Sequence, residues 1–271
     1  MTVPVCLTIA GSDSGGGAGI QADLKAFAAA GVHGTCAITA ITAQNTVNVD
    51  AVLAVDPAMI IAQLGAIAAD FTVDAVKIGM LGGRPAIEAV AYAYTQKRHD
   101  LPTVVDPVMI AESGGRLLDP DAEDALRRLV VSRATVVTPN LDEARVLARD
   151  ATADAEQLAR AIHKLGPEIV IVTGGHRERA ADLYFDGERV VEIEGPRYPD
   201  GAAHGSGCTH SATLAAHIAL GDDPLTAARA ARAAAAEAVR NGLRDLGAGP
   251  GPVDVLNVKA RAHARATPAV P

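Results

Sequence analysis

The chain lacks several features that would point to common classes of protein. It has only three cysteines, Cys6, Cys36 and Cys208, which are widely separated and form no C-x-x-C pair. This spacing indicates neither a disulfide framework nor a zinc site, and it favours a protein of the reducing cytoplasm.

Long hydrophobic runs and basic clusters are also missing. The apolar run at residues 3–10 is too short to span a bilayer and has no basic region ahead of it, and charged residues interrupt the Ala-rich run at 227–239. A net charge of -8 argues against a nucleic-acid binder. We therefore expect no nucleic-acid or membrane partner and no export signal.

Several catalytic signatures are absent as well. The sequence contains no G-x-x-x-x-G-K-[ST] phosphate loop, no H-E-x-x-H, no G-x-S-x-G and no H-R-D motif. Gly17, Gly19 and Ala22 match the G-x-G-x-x-[GA] dinucleotide fingerprint. No acidic residue ends the following predicted strand, so a nicotinamide-dependent enzyme is disfavoured.

What is present is the alternation of an α/β protein. Short Val- and Ile-rich runs alternate with longer Ala- and Leu-rich stretches of helical period, which predicts a mainly parallel central sheet with helices on both faces. The predicted core strands are 5–10, 35–42, 75–78, 103–105, 135–137 and 169–172. The predicted helices are 20–30, 57–69, 84–96, 120–129, 142–147, 154–165, 207–220 and 224–240.

The C-terminal third departs from that alternation. Runs at 181–185 and 189–194 flank Asp186-Gly187, which predicts a β-hairpin at the sheet edge. We expect residues 1–258 to form a single domain and residues 259–271 to be a disordered tail, because that Pro/Ala/Arg-rich segment has little apolar surface.

Two glycine-rich segments follow predicted strands and open predicted helices. The first spans residues 11–19, with Asp23 one turn into the next helix; it is either a ligand-binding loop or a flexible connection with a solvated acid. The second is His204-Gly205-Ser206-Gly207-Cys208-Thr209. Amides at such a helix start can hold a transferring phosphoryl group, and the helix dipole would lower the pKa of Cys208. Otherwise it is a helix start with an inert, buried cysteine.

Acidic and amide residues follow two further strands. Asp106, Asn140 and Glu143 are placed to hold Mg²⁺ or its waters against the phosphates of ATP. Helix capping by Asn140 with Glu143, and a turn at Asp106, are the alternatives, and local sequence favours capping. A last glycine-containing loop, Thr173-Gly174-Gly175-His176, follows the predicted strand 169–172. It could contact a nucleotide or form a turn without a ligand. Met80 and Val108, viewed singly, resemble core residues.

The order of these segments is similar to that of a known family, the bifunctional hydroxymethylpyrimidine/phosphomethylpyrimidine kinases of thiamine biosynthesis, within the ribokinase-like superfamily. The resemblance covers nearly the whole chain. It rests on the segments beginning Thr8-Ile9-Ala10-Gly11-Ser12-Asp13 and Gly16-Gly17-Ala18-Gly19, on Ala43-Gln44-Asn45-Thr46, Lys77-Ile78-Gly79-Met80-Leu81, Val105-Asp106-Pro107-Val108-Met109, Thr138-Pro139-Asn140-Leu141, Gly174-Gly175-His176 and the segment from His204 to Thr209.

The resemblance implies a ribokinase-like fold, a homodimer and ATP-dependent phosphorylation of the hydroxymethylpyrimidine and then of its monophosphate. It implies that Asp23 and Gln44 hold the pyrimidine in a site lined by Gly11, Met80, Val108 and Cys208, and that Asn140, Thr173, Gly175 and His176 serve ATP. Gly205, Ser206, Gly207 and Cys208 then form the catalytic anion hole, with Asp106 and Glu143 at the metal. Cys208 stands where many sugar kinases have a catalytic Asp.

Two positions depart from the family pattern. Thr173 stands where the family commonly has Lys, so one expected contact with an ATP phosphate is removed or altered. His210 stands where an apolar residue is more usual, which we interpret as variation on the helix surface. Two other functions remain open: a pyridoxal or pyridoxine kinase of the same fold, and a non-catalytic pyrimidine-sensing module. The acidic and Gly-Ser-Gly-Cys segments argue against the sensing module.

Overall fold

The centre of the molecule is a mainly parallel β-sheet. The computed structural model describes residues 2–97, 101–110, 117–174, 181–199 and 201–266. Within them, nine strands lie in the order β3-β2-β1-β4-β5-β6-β7-β8-β9. The strands are β1 (Val5–Asp13), β2 (His33–Gln44), β3 (Val49–Ala54), β4 (Ala75–Ile78), β5 (Thr103–Val105), β6 (Val136–Val137), β7 (Ile169–Val172), β8 (Ala181–Phe185) and β9 (Val190–Glu194).

The parallel part of the sheet runs from β2 to β7. Its inner strands are short and mainly apolar, with Lys77 and Thr103 as exceptions, and every residue of β4, β5 and β7 is buried. A strand that is covered on both faces needs such a predominantly apolar run. For this reason the predicted bounds of these three strands agree with the structure.

Helices cover both faces of the sheet, as predicted. They are α1 (Gly19–Ala29), α2 (Pro57–Asp70), α3 (Arg84–Lys97), α4 (Glu123–Ala125), α5 (Leu141–Ala148), α6 (Ala155–His163), α7 (Ser206–Ala219), α8 (Pro224–Arg240) and α9 (Val258–Ala266). One core lies under α1, α7 and α8, and the other under α2, α3, α5 and α6. The Ala-rich faces of α7 and α8 bury Ala212, Ala216, Ala227 and Ala231 completely.

Polar caps begin several of these helices. Asp56, Asp154 and Asp223 accept hydrogen bonds from backbone amides in the first turns of α2, α6 and α8. Each cap satisfies amides that have no partner inside the helix. The capping signals in the sequence therefore place these starts correctly.

One strand was not predicted. β3 pairs antiparallel with β2 at the sheet edge, and its residues after Val49 are exposed, including Val52 at 50% and Leu53 at 66%. An exposed edge strand has no buried face to impose alternation on the sequence. The predicted hairpin is confirmed as β8 and β9, which pair antiparallel at the other edge.

Two helical segments differ from expectation. The helix predicted at 120–129 is a series of short turns: a 3₁₀ turn at Pro120–Ala122, then α4, a π turn at Leu126–Val130 and a 3₁₀ turn at Val131–Arg133. Residues 259–266, expected to be disordered, belong to α9. The carboxylate of Asp254 accepts hydrogen bonds from the amides of Val258 and Lys259 at 2.8 and 3.0 Å, and so caps this helix.

The topology brings the functional segments to one edge. Parallel strands point their carboxyl ends in one direction, so the loops after β1, β4, β5, β6 and β7 meet there. None of the helices in the described ranges is both long and apolar enough to cross a bilayer.

Candidate active site

A cavity of about 420 Å³ opens at the carboxyl ends of the parallel strands. Most of the residues that the sequence singled out line it together: Gly11, Gln44, Met80, Asp106, Val108, Asn140, Glu143, Thr173, Gly205, Ser206, Gly207 and Cys208. Gly175 and His176 lie outside the described residues. The cavity has two ends, one at β2, β1 and β4 and the other at β6 and β7.

Asp23 is the exception among the predicted site residues. It is fully buried behind the cavity wall and does not line the cavity. Thr8 donates a hydrogen bond of 2.6 Å to Asp23, and Lys77 Nζ lies 3.0 Å from both of its carboxylate oxygens. The prediction that Asp23 holds the pyrimidine is therefore not supported: Asp23 instead forms an ion pair with Lys77, a buried residue of the cavity wall.

The two glycine-rich segments contact each other through Asp13. Its carboxylate accepts hydrogen bonds from the amides of Gly15, Gly17 and Ala18, and His204 Nε2 lies 3.1 Å from Asp13 Oδ2. Burial opposes the charged form, but the contacts with His204 and these amides outweigh it and lower the pKa of Asp13. The sequence predicts no separate role for Asp13, because its partner His204 is distant along the chain.

The start of α7 presents backbone to the cavity. Gly205 is the N-cap residue with φ +84°, and no side chain in the described part of the chain caps it. A Cβ at Gly205 would collide with the carbonyl oxygen of Gly17, whereas a Cβ at Gly207 would meet nothing nearer than Asp106 Oδ2 at 3.9 Å. Gly207 thus leaves space where a negatively charged group can approach the positive end of the helix dipole.

The thiol of Cys208 does not behave as predicted. Burial raises its pKa to about 12, and the charges of Asp23 and Asp106 add to this rise although Lys77 opposes it. The expected lowering by the helix dipole is wrong, because desolvation of the thiolate is the larger effect. Cys208 is consequently protonated at neutral pH.

Asn140, Glu143 and Asp106 form an acidic wall of the cavity. Asn140 Oδ1 accepts hydrogen bonds from the amides of Asp142 and Glu143, and Glu143 Oε2 accepts one of 2.9 Å from the Asn140 amide. The capping alternative is therefore correct, and both residues also line the cavity. Ser211 donates a hydrogen bond of 3.0 Å to Asp106.

The electrostatics of this wall suit a cation. Burial, together with the charge of Asp106, raises the pKa of Glu143 to about 8. A divalent cation beside the two carboxylates would remove that penalty, and Mg²⁺ binds through one or two carboxylates plus phosphate and water. Among the described residues, no group of three or more His, Cys, Asp or Glu side chains forms a metal cage. The donor set fits Mg²⁺ that arrives with a nucleotide.

His210 is not on the helix surface. It is 5% exposed, lines the cavity near Thr173, and its Nε2 lies 3.1 Å from Asp182 Oδ2. Asp182 in turn accepts a hydrogen bond of 2.8 Å from the Gly174 amide. The interpretation of His210 as surface variation is wrong, because its side chain is buried and faces Asp182 of β8 rather than solvent.

Comparisons with known proteins agree with this geometry. Residues 13–254 match the family model described as phosphomethylpyrimidine kinase. The hydroxymethylpyrimidine/phosphomethylpyrimidine kinase of Synechococcus elongatus is 45% identical over 262 residues, covering 93% of this chain and 97% of that protein.

Two solved structures are similar throughout. An ADP complex of Bacillus subtilis pyridoxal kinase has a TM-score of 0.85 at 36% identity, covering 95% of this chain and 99% of that one. A phosphomethylpyrimidine kinase from Clostridium difficile has a TM-score of 0.75 at 35% identity, covering 84% and 96%. The predicted ribokinase-like fold and the predicted kinase activity are confirmed. The chain therefore belongs to the phosphomethylpyrimidine kinase family.

Proposed function

We propose that this kinase transfers the γ-phosphoryl group of ATP to the hydroxymethyl group of 4-amino-5-hydroxymethyl-2-methylpyrimidine, and a second phosphoryl group to the resulting monophosphate. The observation that carries the proposal is one cavity holding three kinds of group: an amide and apolar side chains at one end, two carboxylates at the other, and helix amides between them. In-line transfer requires acceptor, phosphoryl group and donor in that order.

The pyrimidine belongs at the end formed by β1, β2 and β4. Gly11, Met80 and Val108 supply apolar surface there, and Thr42 donates a hydrogen bond of 3.1 Å to Gln44 Oε1. This bond orients the Gln44 amide so that its NH₂ group can donate to a ring nitrogen of the pyrimidine. A Cβ at Gly11 would lie 2.5 Å from Met80 Cε, so glycine at this position lets Met80 form the wall.

The phosphoryl group belongs at the start of α7. Gly205, Ser206, Gly207 and Cys208 line the cavity there, and the buried cation of Lys77 lies in the same wall. The Ser206 amide donates to the Ala203 carbonyl at 2.9 Å, so the donors we assign to the developing negative charge are the amides of Gly207 and Cys208. Donors fixed in advance stabilise that charge without reorganisation. Because the Cys208 thiol is protonated, its role is to complete the anion hole rather than to act as a general base.

ATP belongs at the end formed by β6 and β7, where Asn140 and Thr173 line the cavity. Gly175 and His176 stay predicted nucleotide contacts outside the described residues. Asp106 and Glu143 would hold Mg²⁺, which when bound supplies charge neutralisation for the phosphates. The ADP of the Bacillus subtilis structure supports nucleotide binding in a protein of this fold.

We also propose that the protein is a cytoplasmic homodimer. The exposed apolar side chains of Ile41, Val52, Leu53 and Met59 lie on the edge strand β3, its neighbour β2 and α2. An unpaired strand edge with apolar side chains is a surface that a second copy can cover. Light scattering with size-exclusion chromatography tests this: a dimer that Leu53→Glu converts to a monomer is expected, and a monomeric wild-type protein would contradict it.

The activity is tested by incubating the purified protein with ATP, Mg²⁺ and the hydroxymethylpyrimidine and following both phosphates by mass spectrometry. We expect the monophosphate first and the diphosphate later. Asp106→Asn should abolish both products, whereas Asp121→Asn, at an exposed position on the 3₁₀ turn, should leave them unchanged. ATP-independent binding of the pyrimidine without turnover would instead support a sensing module.

Pyridoxal is the second candidate substrate. The similarity to the Bacillus subtilis pyridoxal kinase extends over 95% of this chain, so fold alone does not separate the two substrates. Pyridoxal should be run in parallel as a competitor. Phosphorylation of pyridoxal with no pyrimidine product would overturn the proposed substrate and leave the kinase assignment intact.

A further inference from the structure

Three buried polar side chains meet in the wall at the nucleotide end of the cavity. They are His210 from α7, Asp182 from β8 and Arg232 from α8, which are 5%, 2% and 8% exposed. All three line the cavity, as does Thr173, and Asp182 accepts a hydrogen bond from the amide of Gly174, the residue after Thr173. Buried polar groups of this kind are costly unless they hold one another in place.

Asp182 is the centre of this cluster. Its Oδ1 accepts the hydrogen bond from the Gly174 amide and lies 3.8 Å from Arg232 Nε, while its Oδ2 faces His210 Nε2. Burial opposes its charge, but the contacts with His210, Gly174 and Arg232 lower the pKa of Asp182 overall. The Asp182 carboxylate thus accepts one backbone hydrogen bond and has the side chains of His210 and Arg232 within 3.8 Å, so its position depends on these neighbours.

The Gly174 amide connects the cluster to the nucleotide end. Gly174 directly follows Thr173, whose amide donates a hydrogen bond of 2.9 Å to the Pro139 carbonyl of the neighbouring loop. A side chain at Gly174 would collide with the Ala181 carbonyl, so this turn is packed directly against β8. Movement of the Asp182 carboxylate would therefore move the backbone at Thr173.

We propose that His210 is a positioning residue for the nucleotide. By holding the Asp182 carboxylate, it fixes the Gly174 amide and with it the backbone of Thr173 at the ATP end of the cavity. This inference rests on the proposed placement of ATP. It assigns no proton transfer to His210, which acts through Asp182 alone.

The same helix provides a matched control. His217 also belongs to α7 and also faces an aspartate, with Nδ1 2.7 Å from Asp222 Oδ2. It is partly exposed at the far end of the helix and is not among the residues that line the cavity. Replacing it changes a His–Asp pair without touching the nucleotide end.

The test compares His210→Leu, His210→Asn and His210→Gln with His217→Leu. ADP affinity is measured by isothermal titration calorimetry, and KM for ATP, KM for the pyrimidine and kcat by steady-state assays. Leu and Asn at position 210 should weaken ADP binding and raise the KM for ATP about tenfold, the change expected when a buried carboxylate loses one close polar neighbour. KM for the pyrimidine and kcat should change less than about twofold, within the range of a neutral substitution.

Rescue separates positioning from simple stability. The amide of Gln reaches the position of Nε2 and can donate to Asp182, whereas that of Asn is too short. We expect His210→Gln to restore most of the ADP affinity, and His217→Leu to retain all of it. Equal ADP affinities for the Asn and Gln variants, or a loss of thermal stability with unchanged affinity, would overturn the inference.

The binding measurement also distinguishes this inference from the proposed function. A wild-type protein that binds ADP but phosphorylates no pyrimidine would contradict the proposed substrate, and the variants would still test His210. Absence of ADP binding by the wild-type protein would overturn both.

Discussion

Lys77 and Asp23 form an ion pair from which solvent is excluded. Lys77 Nζ lies 3.0 Å from both carboxylate oxygens of Asp23, and neither side chain has any exposed surface. Burial favours the neutral amine, but the charges of Asp23 and Asp106 and the contact with Asp23 raise the pKa of Lys77 overall. The cavity wall therefore carries the positive charge of Lys77, and the buried carboxylate of Asp23 neutralises it.

Removing either partner of this pair should destabilise the protein. Lys77→Met leaves Asp23 as an unpaired buried carboxylate, and a loss of about 3–5 kcal/mol in the free energy of unfolding is expected. Urea denaturation of Lys77→Met, Asp23→Leu and the double variant measures it. The double variant should be more stable than Lys77→Met, since it has no unpaired charge. The exposed pair of Arg84 and Glu88 is the control, and Arg84→Ala should change stability little.

Replacing Cys208 should have a small effect on turnover. With a pKa of about 12, the thiol holds almost no thiolate at pH 7.5, so it cannot supply the 10²–10⁴-fold of a typical general base. We expect Cys208→Ser to keep kcat within about tenfold of wild type. Alkylation of Cys208 by iodoacetamide, followed by peptide mass spectrometry, should still accelerate between pH 8 and pH 10. A plateau below pH 9 together with an inactive Ser variant would contradict this, and Cys36→Ser is the control.

Glu143 should make stability fall as pH rises. Its pKa is about 8 in the folded protein against an ordinary value of 4.5, so between these values the folded state holds a proton that the unfolded state has released. The destabilisation is absent below pH 4.5, grows through this window and is complete above pH 8, where it amounts to a few kcal/mol.

The comparison of wild type with Glu143→Gln isolates this effect. Gln preserves the capping box with Asn140, so the substitution removes the charge alone. In urea denaturation without nucleotide or metal, Gln should stabilise the protein at pH 8.5 and not at pH 5. Parallel pH curves for the two proteins would show that the prediction is wrong. Glu188→Gln, at an exposed turn, should leave the curve unchanged.

Gly205→Ala should be far more harmful than an alanine at another glycine of positive φ. Gly205 and Gly221 have φ of +84° and +93°, but a Cβ at Gly205 would collide with the Gly17 carbonyl, whereas nothing lies within 4 Å of one at Gly221. Gly221→Ala should cost only the conformational strain, about 1–2 kcal/mol. Gly205→Ala should lose more stability and most of the turnover. Thermal unfolding and kcat measure both, and equal effects would contradict the role of the collision.

The sequence was sufficient for the parts of the fold that are locally determined. The runs 75–78, 103–105 and 169–172 are apolar apart from Lys77 and Thr103 because both faces of those strands are covered, and Asp154 and Asp223 mark helix starts that they cap. β3 could not be predicted in the same way, since its extended form depends on pairing with the end of β2 rather than on a buried face of its own.

The site was predictable as a set of segments but not as a set of contacts. Glycines and acids after successive strands indicated where ligands bind, and the described members of that set, apart from Asp23, line one cavity. The partners of Asp13, Asp23 and Asp182 could not be predicted, because each pair joins elements that are distant along the chain. The direction of the pKa shift of Cys208 was predicted wrongly for a related reason: the shift comes from burial and from the charges of Asp23 and Asp106, which are distant along the chain.

The contact between Asp13 and His204 sets the order in which the protein becomes competent during its synthesis. The two residues are separated by 191 positions, and His204 directly precedes Gly205, the N-cap residue of α7. A growing chain on the ribosome can complete β1 through β7 while His204 and the start of α7, which contact the first glycine-rich loop, have not yet been synthesised. Substrate and nucleotide therefore meet a finished site only after the last third of the chain has emerged and α7 has docked against α1.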